Sequence, residues 1–279
     1  MAAAGDVLDR VLGVLRDGGV ETAHNEARWI LEAAAGQTRT ELALQPDLDS
    51  AVEQRALEYA RRRADGEPLQ YVTGVAGFRR LDLAVGPGVF VPRPETELVV
   101  EKAMSRLPQG GTIIDVGTGS GAIALSIGDE RPDARVLATE TSPAALEWVR
   151  RNQVALNSSI EIIETDLLDD IPDEFRGEVD VIVSNPPYVA ETQRGILPDD
   201  VVDHEPHVAL FGGNEGTDII DRLASSARDW LKPGGWLVLE MGAAQGESIT
   251  SLLKRLDYQD VTVGVDYADW PRVTEARRP

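Results

Sequence analysis

The chain has 279 residues and no cysteine, with 27 Lys and Arg against 48 Asp and Glu, a formal net charge of −21. Disulfides, thiolate catalysis and cysteine-ligated zinc are excluded, and hydrophobic residues at 42% of the chain exclude global disorder. There are 10 basic and 14 acidic residues before Val91, and 17 basic and 34 acidic residues from Val91 onwards. This excess of acidic residues argues against nucleic acid as a partner, because binding to nucleic acid depends on basic residues that neutralise phosphates.

The first 70 residues are predicted to be helical. Apolar residues recur there at helical spacing in three segments, and Gly18-Gly19 ends the first. Thr22 is placed to cap the second helix, and Asp49 or Ser50 the third. We predict a small all-helical N-terminal domain over residues 1–70.

A different pattern follows. From Tyr71 to Val91 glycines interrupt short apolar runs, and Leu81, Leu83 and Val85 alternate as in a strand. We predict a β-hairpin linker over residues 71–91. The helical pattern then resumes from Glu95 to Leu107 with an acidic first turn, which suits the helix dipole.

After Gly110 strands and helices alternate, which predicts a parallel sheet with helices on both faces. Two short β runs close the chain, so the fold class is α/β, a Rossmann-like seven-stranded domain over residues 92–279. The predicted strands are 112–115, 135–140, 160–165, 179–184, 236–241, 260–265 and 272–276, and the predicted helices are 120–129, 143–156, 217–231 and 245–256.

A glycine loop follows the first of these strands, in the order Asp115-Val-Gly117-Thr118-Gly119-Ser120-Gly121. Without Cβ atoms such a loop can turn sharply and let its backbone approach a ligand. The next strand ends at Glu140, whose carboxylate is placed to accept hydrogen bonds from both hydroxyls of a ribose.

The same spacing fits a dinucleotide enzyme or a purely structural turn. S-adenosylmethionine is favoured because the glycines occupy every second position and because Asp115 would repel phosphates. That carboxylate can instead lie near the cationic amino end of a methionine moiety.

A second motif, Ser184-Asn185-Pro186-Pro187-Tyr188, directly follows the fourth strand. Proline cannot continue a strand, so the turn is stiff. The Asn185 side-chain oxygen and the Pro186 carbonyl could accept both hydrogens of a planar NH2 group and aim its nitrogen at a sulfonium methyl. Tyr188 could stack on that group. No metal or nucleophilic side chain is required for this chemistry.

With both motifs in place, the chain resembles the glutamine-N5 methyltransferases of class-1 peptide chain release factors. The resemblance covers nearly the whole length. It includes the helical N-terminal part, the hairpin, and six further segments: Val91-Pro-Arg-Pro-Glu-Thr-Glu97, Asp115–Gly121, Asn185–Tyr188, Glu205–Gly216, Gly234–Glu240 and Asp266–Arg272.

The resemblance implies S-adenosylmethionine as cofactor, a release factor as protein substrate, and the glutamine of its Gly-Gly-Gln loop as methyl acceptor. It implies that the helical domain recognises this partner. Glu140 stands where Asp is common, and Leu167, expected beside the adenine, stands where some relatives have an aromatic residue. The implied cofactor contacts are Asp115, Gly117, Thr118, Gly119, Ser120, Gly121, Glu140, Leu167 and Asn185. The residues implied to hold the glutamine are Asn185, Pro186, Pro187 and Tyr188. Of these, Asn185, Pro186 and Tyr188 are implied to act in catalysis.

Three other functions remain open at this stage. A DNA adenine or cytosine amino-methyltransferase shares the planar-nitrogen chemistry, but the acidic catalytic part does not suit phosphates. A ribosomal-protein glutamine methyltransferase would have the same pocket, and a non-enzymatic domain would merely bind the cofactor or a protein. No sequence segment approaches a membrane span, and no secretory signal is evident, so we expect a cytoplasmic protein without membrane contact.

Overall fold

The computed structural model describes residues 2–44 and 47–279, which form two compact units. The first unit runs to Val75 and also takes in Pro198–His204. The second comprises Ala76–Leu197 and Glu205–Pro279.

The first unit is helical, as the sequence predicts, and its core is formed by Val7, Val11, Leu15, Ile30 and Ala56. It also contains an antiparallel pair of two-residue strands that no sequence pattern predicts. Its elements are β1 (Ala2–Ala3), α1 (Ala4–Asp17), α2 (Ala23–Ala35), α3 (Arg39–Leu44), β2 (Asp47–Leu48), α4 (Ser50–Ala64), α5 (Leu69–Thr73) and α9 (Asp199–His204).

The two predicted N-caps behave differently. Asp49 caps α4, because its Oδ1 accepts the Ala51 N–H at 3.1 Å. Thr22 occupies the N-cap position of α2 but makes no capping bond, since its hydroxyl donates to Glu26 Oε1 at 2.6 Å. The expected Thr22 cap is therefore wrong, and the hydroxyl serves a buried carboxylate instead.

The second unit contains a hairpin followed by alternating strands and helices. Its elements are β3 (Val75–Phe78), β4 (Leu81–Ala84), α6 (Thr96–Arg106), β5 (Thr112–Val116), α7 (Ala122–Glu130), β6 (Arg135–Glu140), α8 (Pro143–Ala155), β7 (Glu161–Glu164), β8 (Val179–Ser184), α10 (Asp218–Trp230), β9 (Leu231–Glu240), α11 (Gly246–Arg255), β10 (Gln259–Val265) and β11 (Pro271–Arg277), with short 3₁₀ helices at Asp173–Phe175, Glu191–Ile196, His207–Ala209 and Ala243–Gln245.

Within the described residues the central sheet has seven strands in the order β10-β11-β9-β8-β5-β6-β7. The pairs from β9 to β7 are parallel, and β11 is antiparallel to both of its neighbours. The predicted Rossmann-like α/β fold is confirmed. Strand β6, which follows β5 in the chain, pairs with one edge of β5, and the later strand β8 pairs with the other edge. The strand order therefore reverses between β5 and β8. Ligands gather at the carboxyl ends of the strands beside such a point.

Side chains of the sheet alternate between two cores. Ile113, Val181 and Val238 pack on the face covered by α6, α7 and α8, whereas Ile114 and Ile182 pack on the face covered by α10 and α11. Burial on both faces is why these strands consist of nearly continuous apolar residues. The helices fix the strands, and the strands fix where the loops after β5, β6 and β8 emerge.

Two boundaries differ from the predictions. Tyr71 and Val72 lie in α5, so the hairpin begins at Val75 rather than at Tyr71. Strand β9 begins at Leu231, before the Pro-Gly-Gly segment that resembles a loop, because Leu231 still pairs with Val179 across a register irregularity.

Candidate active site

The glycine loop between β5 and α7 adopts a backbone that side-chain-bearing residues rarely accept. Gly117, Gly119 and Gly121 have φ values of 70°, 59° and 90°. The Gly117 and Thr118 N–H groups both donate to the Thr139 carbonyl at 2.9 Å, which ties the loop to the neighbouring strand β6. A Cβ at Gly121 would lie 2.5 Å from the Leu125 side chain, so this glycine is needed for close packing.

Asp115 lies beneath this loop and is only 1% exposed. Its Oδ2 accepts the Thr118 hydroxyl at 2.6 Å and the Ala124 N–H at 3.1 Å, whereas its Oδ1 has no partner among the described residues. Burial raises the pKa of Asp115 to about 7, against the effect of those two bonds. The carboxyl group thus joins the loop to the first turn of α7.

Glu140, at the end of β6, is oriented by three backbone donors. Its Oε2 accepts the Gly119 N–H at 2.9 Å, and its Oε1 accepts the N–H groups of Thr141 and Ser142, each at 2.9 Å. A carboxylate has about four lone-pair sites. One site therefore remains on Oε2, so a vicinal diol would find one acceptor there rather than the two that the sequence suggests.

The Asn-Pro-Pro-Tyr turn begins at the end of β8. The Ser184 hydroxyl donates to the Val116 carbonyl at 2.6 Å, which joins the ends of β8 and β5. Gln245 Nε2 donates to the Tyr188 carbonyl at 2.9 Å. A Cβ at Gly216 would lie 2.2 Å from that same carbonyl oxygen, so only glycine allows the backbones to approach. The hydrogen bonds of Ser184 and Gln245 and the close packing at Gly216 therefore fix the position of the turn.

The side chains of this turn share one buried carboxylate. Glu240, at the end of β9, is 1% exposed. Its Oε2 accepts the Thr96 hydroxyl at 2.7 Å, and its Oε1 accepts the Tyr188 hydroxyl at 3.2 Å. Asn185 Nδ2 donates to Thr96 Oγ1 at 3.2 Å. Burial raises the pKa of Glu240 to about 7, and burial also raises the pKa of Tyr188, so the phenol remains a donor.

These loops surround one cavity of about 200 Å³, larger than a single water molecule needs. Of the sequence-predicted residues, Asp115 and Gly121 do not line it. Leu167 does line it and has a φ of 51°, unusual for leucine. The predicted residues on its wall are Gly117, Thr118, Gly119, Ser120, Glu140, Leu167, Asn185, Pro186, Pro187 and Tyr188.

Several cavity residues were not predicted as site residues. Val89, Phe90 and Thr96 belong to the segments before and within α6, and a later loop contributes Pro206, Val208, Ala209 and Leu210. The signal that could have revealed them was the resemblance itself, which includes the hairpin over residues 71–91 and the segments starting at Val91 and Glu205. Arg93 forms an ion pair with Glu205, whose Oε2 also accepts the Val91 N–H, so the two segments meet in the fold.

Two features are absent from the described residues. No helix within them is long and apolar enough to cross a membrane. No group of three or more His, Asp or Glu side chains in that part of the chain is arranged to hold a metal ion.

Comparisons with known proteins match nearly the whole chain. The family described as "Methyltransferase small domain" matches residues 81–204, and the "PrmC N-terminal domain" matches residues 6–74. A protein of Geobacter sulfurreducens named release factor glutamine methyltransferase is 36% identical over 275 residues, which cover 97% of this chain and 95% of the relative. A protein of the same name from Streptomyces coelicolor is 40% identical over 269 residues, covering 95% and 94%.

The fold also resembles solved structures. A methyltransferase from Pyrococcus furiosus superposes with a TM-score of 0.55 at 23% identity, covering 71% of this chain and 89% of that one. At this identity the likeness concerns the fold alone. It agrees with the α/β fold of the second unit.

Proposed function

The chain belongs to the release factor glutamine methyltransferase family, and we propose that its methyl acceptor is the side-chain amide nitrogen, N5, of the glutamine in the Gly-Gly-Gln loop of class-1 peptide chain release factors. The protein is an S-adenosylmethionine-dependent protein-glutamine methyltransferase. The observation that best supports the choice of acceptor is the direction of the Asn185 amide. Its NH2 group is bonded to Thr96, so its oxygen is left to accept from an NH2 group.

The cavity fits S-adenosylmethionine in the chemistry of its walls. Glycines at 117 and 119 leave backbone exposed to a ligand, and a Cβ at Gly117 would meet only open space, so the loop can lie against a bulky group. Glu140 offers a carboxylate oxygen to a ribose hydroxyl. Leu167 offers an apolar surface to an adenine ring.

In this proposal Thr118 and Ser120 complete the loop contacts. Gly121 and Asp115 act from beneath by setting the path of the loop. The bound cofactor supplies an electrophilic methyl group on a sulfonium. Every other part of the chemistry falls to the chain's own residues.

The turn after β8 supplies two acceptors for the glutamine amide. Among the described residues no hydrogen-bond donor is bonded to Asn185 Oδ1 or to the Pro186 carbonyl. Two acceptors aimed at the two N–H hydrogens fix the nitrogen in one orientation and stabilise the positive charge that develops on it. The nitrogen held in this way would gain the methyl carbon as the methyl–sulfur bond breaks, with S-adenosylhomocysteine as the leaving group, and would then release one proton to solvent.

Pro187 and Tyr188 complete the acceptor pocket. Pro187 keeps the turn stiff, because its ring fixes φ and it has no N–H group. Tyr188 lies on the cavity wall with its hydroxyl anchored on Glu240, so its ring can cover the flat amide and exclude water. A planar, poorly nucleophilic nitrogen needs such enforced proximity.

We further propose that the N-terminal domain, residues 1–70, recognises the release factor, and that residues 71–91 link it to the methyltransferase domain over residues 92–279. We also propose that the enzyme works in the cytoplasm, uses no metal ion, and binds neither membranes nor nucleic acid. The match to a dedicated N-terminal family supports a specialised role for that part. The 34 acidic against 17 basic residues from Val91 onwards support a protein substrate over a phosphate-rich one.

Transfer of tritium from labelled S-adenosylmethionine tests this function. The acceptors are a class-1 release factor, its Gln→Ala variant in the Gly-Gly-Gln loop, ribosomal proteins and DNA. We expect label on the wild-type release factor alone. Label on the Gln→Ala variant, or on DNA or a ribosomal protein in its place, would refute the proposed acceptor.

A further inference from the structure

Asn185 and Tyr188, the two acceptor-pocket side chains with polar groups, are both connected to Glu240. Tyr188 bonds one carboxylate oxygen directly, and Asn185 reaches the other through Thr96. Thr96 and Glu240 are 3% and 1% exposed, so water does not compete for these bonds. No motif contains both residues, which are separated by 144 positions in the chain.

The number of protons in this chain of bonds decides which way the Asn185 amide points. An ionised carboxylate can only accept, so the single hydroxyl proton of Thr96 is donated to Glu240 Oε2. The Thr96 oxygen then has only lone pairs to offer, and only the NH2 group of Asn185 can face it. The amide oxygen therefore lies on the other side of the group.

We propose that Glu240 and Thr96 are positioning residues, which hold the Asn185 amide with its oxygen towards the glutamine NH2 group and hold the Tyr188 ring beside it. The inference rests on the proposed function. Glu240 does not line the cavity, and the hydroxyl of Thr96 is donated to Glu240, so in this proposal both act through Asn185 and Tyr188. Methyl transfer depends on them because a reversed amide would present two donors to a substrate group that also donates.

Protonation of Glu240 reverses this order. A neutral carboxyl group can donate to Thr96 Oγ1, which frees the threonine proton to bond the Asn185 oxygen and turns the amide round. The groups facing Glu240 are Thr96 and Glu95 at the start of α6, Tyr188 after β8 and Arg272 on β11. Arg272 favours the ionised form, Glu95 disfavours it, and burial of Glu240 is the largest influence.

The first test compares Thr96→Val with Thr96→Ser. Valine keeps the volume and removes the hydroxyl, whereas serine keeps the hydroxyl. We expect Thr96→Val to lower kcat for release factor methylation about 10- to 100-fold with an unchanged Kd for S-adenosylmethionine, and Thr96→Ser to restore most of kcat. Thr274→Val is the matched control, since it removes another buried hydroxyl, one that donates to Met241 Sδ, and should leave kcat within about threefold.

The second test is a pH profile of kcat, which a merely structural role would not change. Wild-type kcat should fall as pH falls below about 7, and Glu240→Gln, whose side chain cannot ionise, should lack this limb. A limb that persists in Glu240→Gln would assign it to another group, such as Asp115, and overturn the proposal.

Equal kcat values for Thr96→Val and Thr96→Ser would also overturn the proposal that Glu240 and Thr96 are positioning residues. If Thr96→Val does not fold, the pH profile of kcat alone decides. Failure of the wild-type enzyme to methylate the glutamine is a different result, since it would refute the proposed function instead.

Discussion

Glu140 Oε2 accepts the Gly119 N–H at 2.9 Å, so the carboxylate at the end of β6 holds the glycine loop at the end of β5. The same side chain also binds the N–H groups of Thr141 and Ser142. Glu140 therefore shapes the cofactor pocket as well as lining it. Its substitution should affect cofactor binding through both the direct contact and the loop.

Glu140→Gln should raise the Kd for S-adenosylmethionine about 10- to 100-fold, because an amide NH2 cannot accept from the backbone donors that surround this position. Isothermal titration calorimetry measures the change. Glu164→Gln is the matched control: Glu164 is the register partner of Glu140 on β7, but its side chain is 59% exposed and forms a surface ion pair with Arg150. Equal Kd values for the two variants would remove Glu140 from the cofactor site.

Asn185→Ala should lower kcat about 100- to 1000-fold while the Kd for S-adenosylmethionine changes little, because the acceptor of the substrate N–H group is lost but the cofactor walls remain. Single-turnover methylation of a release factor gives the rate. Asn214→Ala, at an exposed turn position, serves as the control for the loss of an asparagine. Wild-type kcat in Asn185→Ala would show that this amide does not hold the glutamine.

Tyr188→Phe should reduce kcat severalfold, since the ring stays but its anchor on Glu240 is lost, and Tyr188→Ala should reduce it much further. The comparison separates the hydroxyl from the ring by steady-state kinetics at saturating cofactor. A Tyr188→Ala enzyme as active as Tyr188→Phe would mean that the ring does not cover the glutamine amide.

The raised pKa of Asp115 predicts a pH-dependent stability. Its folded-state pKa of about 7 lies above the ordinary value of 3.8, so the folded protein retains a proton that the unfolded chain releases. The stabilisation of the folded state by the protonated Asp115 carboxyl group is complete below pH 4 and is lost as pH rises through 7. Asparagine at this position cannot ionise, and its carbonyl oxygen can keep the bonds to Thr118 and Ala124.

Between pH 5 and pH 8 the free energy of unfolding of Asp115→Asn should therefore rise relative to wild type by about 1–3 kcal/mol. Thermal unfolding of the cofactor-free proteins at both pH values measures the difference. Asp129→Asn, at an exposed helical position, should show no such trend. A constant difference between Asp115→Asn and wild type at the two pH values would contradict a buried, protonated Asp115.

The sequence predicts the fold and the two loops of the site because each depends on contiguous residues. Strand β8 has the predicted bounds, and the loops after β5 and β8 lie at the point of reversed strand order. The relation of Thr96 to Glu240 could not be predicted, since nothing local marks two isolated polar residues that meet only after folding. Helix α5 was missed for a related reason: Tyr71 and Val72 favour strands locally but are buried in a helix.

The most direct test of the account is tandem mass spectrometry of a class-1 release factor after incubation with the enzyme and S-adenosylmethionine. We predict a single added methyl group on the side-chain amide of the glutamine in its Gly-Gly-Gln loop, present with wild-type enzyme and nearly absent with Asn185→Ala. A methyl group on another residue, or an unmodified glutamine after prolonged incubation with active enzyme, would contradict the account.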